Sequence, residues 1–106
     1  MKTSSLFESI PTELPEELFT ILAKGRGVTI ERIISMGHAS AEGDWYDQET
    51  HEWVLVVKGE ARLQFEGEEE RPLREGDHLL IPAHARHRVV WTPDDRETIW
   101  VAVHFG

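Results

Sequence analysis

The chain of 106 residues contains no cysteine, which excludes disulfides, thiol catalysis and thiolate metal sites. It is also short of positive charge. Eleven lysines and arginines face 20 aspartates and glutamates, for a formal net charge of −9. No basic run exists to neutralise a phosphate backbone or an anionic bilayer, so neither nucleic acid nor membrane is an expected partner. No apolar stretch approaches the length of a membrane span, and the opening "MKTSSLFESIPTELPEEL" lacks the apolar centre of a signal peptide. A cytoplasmic location is the expectation. With 40% hydrophobic and 29% charged residues, the composition is that of one small globular domain with a single modest core.

"PEELFTILAKG" reads as a short helix. Pro15 suits a first helical position, Glu16 and Glu17 suit the positive end of the dipole, and Gly25 can close it. Leu18, Ile21 and Leu22 recur at helical spacing. Residues 1–27 are therefore expected to form an arm with a short helix, and residues 28–106 a β-domain, one domain overall. After Gly27 the pattern changes to β. "VTIERII", "EWVLVVKG", "ARLQFEG", "DHLLI", "HRVVW" and "TIWVAVHF" are short β-branched, aromatic or alternating runs separated by turns. About six to eight short strands at this spacing argue a sandwich or barrel. "EWVLVVKG" carries bulk on both faces, so its outer face is expected beneath the arm or against a second subunit.

"EGDHLLIPAHARHRV" places two histidines, His84 and His87, behind a proline. Gly76, five residues, Pro82, one residue, His84, two residues and His87 follow the spacing G(x)5PxG(x)2H, with His84 in the slot of the second glycine. Glu52, six residues and Gly59 follow E(x)6G. In this order the two patterns resemble the cupin superfamily over roughly residues 30 to 105. The resemblance implies an all-β fold, a single jelly-roll (cupin) barrel preceded by the short helix.

The resemblance also frames the chemistry. Metal-holding cupins carry HxH ahead of the glutamate, because residues i and i+2 of a strand share a face and both imidazoles then enter the barrel. Here those slots hold Tyr46 and Gln48, or Trp45 and Asp47, and neither pair contains histidine. Glu52 and His87 carry over, either as ligands or an acid–base pair at the barrel mouth, or as a buried polar pair satisfied by its neighbours. Two ligands hold a divalent ion weakly. Gln48 offers a third through its amide oxygen and Tyr46 through its phenol; Asp47 would join them if a one-residue bulge turned it inward. His84 reads as a rim residue that could line the pocket entrance, and His51 as an outward neighbour of Glu52. His104 shares parity with Trp100 and Ala102, which leaves it either core, edge or lumen.

The expected ligand pocket is Tyr46, Gln48, Glu52, His84 and His87, and the expected metal ligands are Glu52, His87, Gln48 and Asp47. The function this supports is a small cupin-like barrel binding a small molecule, with or without a divalent metal (Zn, Ni, Fe or Mn). Two alternatives are a metal-dependent oxygenase or isomerase using the same pocket, and a structural or sensory module working through a homodimer surface. Substrate and reaction are not legible in these residues, since a fold hosts many activities.

Overall fold

The computed structural model describes residues 1–106. Eight strands form: β1 (Leu18–Gly25), β2 (Val28–Ser35), β3 (His51–Lys58), β4 (Glu60–Phe65), β5 (Arg71–Arg74), β6 (His78–Ile81), β7 (His87–Trp91) and β8 (Thr98–Phe105). They build two antiparallel sheets, one in the order β1-β2-β8-β3-β6 and one in the order β5-β4-β7. No helix is long and apolar enough to cross a membrane.

The expected N-terminal helix does not form. Leu18–Gly25 is strand β1, which extends the sheet built by residues 28–106 and pairs with β2 from Leu18↔Ile34 to Gly25↔Val28. Arg26 and Gly27 remain as the connecting turn, with Gly27 at φ 70°. A helix this short gains few internal hydrogen bonds against a costly nucleus, whereas the strand pairs its backbone along its whole length. The helical spacing of Leu18, Ile21 and Leu22 has another cause. The register shifts between Ile21 and Ala23, so Leu22 is an inserted bulge residue and strict alternation fails. Ile21 and Leu22 are both exposed, leaving no buried face for a helix to serve.

Alternation elsewhere sorts side chains as the sequence suggests. Along β3, Glu52, Val54 and Val56 are buried while Trp53, Leu55 and Val57 are only half-buried. The inward residues meet Trp100 and Ala102 of β8, Ile81 of β6, and Ala61, Leu63 and Leu73 of the smaller sheet in one core. Burying such side chains stabilises by roughly 1.5–3 kcal/mol each. The β3–β4 connection turns on Gly59 at φ 88°, where an added Cβ would lie 2.8 Å from the Glu97 carbonyl oxygen. Only glycine suits both constraints, which is the physical content of the E(x)6G spacing.

Candidate functional site

Glu52 sits inside the larger sheet, next to His104 on β8 and Ile81 on β6. Its parity with Val54 sends the carboxylate into the barrel, where the residue is 7% exposed. His87 opens β7 in the opposite sheet. Its backbone is fixed by an isolated bridge, the Tyr46 N–H donating to the His87 carbonyl at 2.7 Å and the His87 N–H to the Tyr46 carbonyl at 3.1 Å. The imidazole lies between the rings of Tyr46, at 5.6 Å, and Phe65, at 6.0 Å.

One contact sets the tautomer of His87. Its Nδ1 is 2.8 Å from the Ala85 carbonyl, which can only accept, so Nδ1 carries the hydrogen. In the neutral ring Nε2 is then a bare acceptor. It faces Glu52 Oε1 at 3.8 Å, beyond hydrogen-bond reach. On the other side, His104 Nε2 donates to Glu31 Oε1 at 2.8 Å and lies 4.0 Å from Glu52 Oε2. Glu52 therefore accepts no hydrogen bond. Burial pushes its carboxyl above the ordinary glutamate range, with His104 and then His87 pulling the other way and Glu31 adding to the rise. Burial, followed by the Glu17 carboxylate, likewise raises the Tyr46 phenol.

These groups line a cavity of about 120 Å³. Its polar lining is Glu17, Glu31, Tyr46, Gln48, Glu52, His87 and His104, and its apolar walls include Ile33, Val54 and Trp100. Tyr46 and Phe19, both lining residues, are about half exposed, so the cavity opens to solvent beside them. Glu17 is anchored by a relay in which Trp100 Nε1 donates to Ser35 Oγ at 3.2 Å and Ser35 Oγ donates to Glu17 Oε2 at 2.6 Å.

Of the residues singled out in the sequence, Tyr46, Gln48, Glu52 and His87 line the cavity. Asp47 and His84 do not. They meet outside it, Asp47 Oδ1 against His84 Nδ1 at 2.8 Å, and both are exposed. No bulge turns Asp47 inward; Tyr46 and Gln48 take the lumen-facing parity instead. His84 adopts φ 64°, the left-handed conformation natural to the glycine whose slot it fills, and its N–H donates to the Gln48 carbonyl at 2.8 Å. His51 is held from outside the lumen, its Nδ1 accepting from the Ala83 N–H at 2.9 Å. Glu17 and Glu31 went unnoticed in the sequence. Glu31 was detectable through its parity with Ile33 on β2, while Glu17 was hidden in the segment read as a helix.

A metal can be tested against these donors. No three histidine, aspartate or glutamate side chains are grouped closely enough to hold an ion. Glu52 and His87 are two strong donors beside the neutral Gln48 Oε1, a buried atom with no hydrogen-bond partner, while Glu31 and His104 are spent on each other and Glu17 on Ser35. This set falls short of the three or four strong protein ligands of a resident transition-metal site. What the arrangement does offer is a row of hydrogen-bond acceptors in a cavity with apolar walls.

With this geometry in place, comparison with known proteins decides the lineage. The Cupin domain family profile matches residues 33–104. The chain belongs to the cupin family. A similar solved structure is a cupin-fold protein from Ralstonia eutropha JMP134, provisionally named a mannose-6-phosphate isomerase, at 47% identity and TM-score 0.95, covering 99% of this chain and 98% of that one. A cupin superfamily protein from Desulfitobacterium hafniense DCB-2 shares 20% identity at TM-score 0.74, with coverage of 91% and 83%. A protein from Thermus thermophilus shares 18% identity at TM-score 0.80, with coverage of 99% and 97%; these last two likenesses concern the fold alone. No functionally curated protein matches the chain at a significant level.

Proposed function

We propose that this cupin binds a small organic molecule in the barrel lumen, anchored by Glu52 and His87. One observation carries the reading: a nine-tenths buried carboxylate that hydrogen-bonds to nothing and faces a cavity. A purely structural polar pair would close to about 2.7–3.2 Å, whereas here both groups stay open to the cavity. The Ralstonia relative's name supplies no substrate for this chain, since no lysine or arginine lines the cavity to receive a phosphate. The test is a fragment screen by amide NMR on the native protein and on Glu52→Gln. Binding is expected to move the resonances of Tyr46, Gln48, Glu52 and His87 together, and a library in which no fragment moves them contradicts the reading.

A second reading of the same centre is an exchangeable divalent ion on Glu52, His87 and Gln48, for oxygenase or isomerase chemistry. The partnerless Gln48 Oε1 favours it. Elemental analysis of untagged protein separates the two: stoichiometric metal lost in both Glu52→Ala and His87→Ala supports the ion, and its absence, with no thermal shift on adding Mn, Fe, Ni or Zn, removes it.

A further inference from the structure

We infer that the ligand group seated at this centre is a primary ammonium carried on a compact apolar body, an inference that rests on the small-molecule reading above. Three acceptors at this centre have no partner within the chain. Glu52 presents a carboxylate without a hydrogen bond, His87 a bare Nε2, and Gln48 a buried Oε1 without a partner. The histidine donors are engaged, His87 Nδ1–H on the Ala85 carbonyl and His104 Nε2–H on Glu31, which leaves the Tyr46 hydroxyl and the Gln48 amide NH2 as the free donors of the lining. An ammonium brings three donors and no acceptor, which matches three acceptors; a hydroxyl brings one donor and adds lone pairs, and a carboxylate or phosphate brings acceptors only.

Charge points the same way. Glu17, Glu31 and Glu52 line the cavity, and neither lysine nor arginine does. The arginines near the mouth are committed elsewhere, Arg86 to Glu66 at 2.9 Å and Arg88 to Gln64 at 3.1 Å. In a cavity walled by Ile33, Val54 and Trp100 the attraction of such carboxylates for a cation exceeds its value in water. Size bounds the apolar body. The volume of about 120 Å³ approaches that of an apolar cavity of ~150 Å³ that admits benzene, so a six-membered ring fits when its edge uses the opening beside Tyr46 and Phe19.

The test uses benzylammonium, with benzyl alcohol and benzoate as neutral and anionic counterparts of like shape. Each is titrated calorimetrically at neutral pH, with EDTA present, into the native protein, Glu52→Gln and Gln48→Met. Benzylammonium is expected to bind about tenfold or more tightly than benzyl alcohol, the scale of one charge-assisted hydrogen bond. Glu52→Gln should erase that advantage, weakening benzylammonium by more than it weakens the alcohol, and Gln48→Met should reduce it about threefold or more. Benzyl alcohol or benzoate binding as tightly as benzylammonium overturns the inference while leaving small-molecule binding intact. No heat or competition from benzylammonium also overturns it, and the fragment screen then decides separately whether the lumen binds anything. Should a variant fail to fold, the native protein's order of affinity for the three probes decides the matter.

Discussion

His87 Nε2 and Glu52 Oε1 face each other across the barrel at 3.8 Å, too far to bond and too close to be unrelated. Each is fixed by its own sheet: Glu52 between β8 and β6, His87 by its bridge to Tyr46 and its Nδ1 contact with Ala85. The strands set the two backbones, and the 3.8 Å separation leaves room for a third group to satisfy both side chains.

Glu52 makes stability depend on pH in a defined direction. Its carboxyl is raised in the folded state, chiefly by burial. Its contribution is fully present below the ordinary glutamate range and is lost as pH rises through the raised value. Glu52→Gln, which cannot ionise, should remove this loss. Thermal melts should show the variant more stable than the native protein at pH 8, with the difference vanishing toward pH 4. A native melting curve that rises with pH across that window, relative to the variant, contradicts the assignment.

Tyr46 is the chain's single tyrosine, so its titration can be read without interference. Burial and the Glu17 carboxylate hold its phenol above its ordinary value of 10. Absorbance at the phenolate band should therefore titrate later than in a free tyrosine, and Glu17→Gln should bring the midpoint down. An unshifted native midpoint places the ring in bulk solvent and away from the acidic lumen.

The residues of β2, β3, β4, β6, β7 and β8 revealed their strands because alternation and turn chemistry agree there, whereas β5, four residues with Pro72 among them, follows an acidic run and carries no strand signal of its own. β1 failed because a bulge at Leu22 broke the two-residue period and imitated the helical one, and because β2, the partner that decides the matter, is not a local signal. Glu52 and His87 were legible through the resemblance of their spacing to the two cupin patterns. The partition of Tyr46 and Gln48 from Asp47 was not, since parity in "WYDQETHEW" depends on whether a bulge occurs. His104 and Glu31 meet only through the β2–β8 register, which no single stretch of sequence displays.

Two glycines with similar backbones make a controlled comparison. Gly59 (φ 88°) has the Glu97 carbonyl 2.8 Å from a built Cβ, whereas Gly67 (φ 81°) has nothing within 4 Å. Gly67→Ala should cost about 1 kcal/mol for its left-handed backbone, and Gly59→Ala about 3 kcal/mol because backbone must also move. Equal losses in chemical denaturation contradict this explanation of the β3–β4 turn.

The outer face of the larger sheet carries an apolar row in register, Leu80, Trp53, Val103, Ile30 and Ala23, running across β6, β3, β8, β2 and β1. Leu80 is 50% exposed. A second copy of the chain laid on this row would bury it, and a homodimer is the expected state by light scattering at micromolar concentration. Leu80→Glu should shift the population toward monomer, and a native protein already monomeric removes the expectation.

The most direct test of lumen binding at Glu52 and His87 is a crystal structure of the native protein soaked with a fragment taken from the NMR screen. Density is expected in the lumen with a polar head within hydrogen-bond reach of both Glu52 and His87. A fragment seated only outside the barrel, or one whose head lies away from both residues while they keep their open 3.8 Å separation, contradicts it.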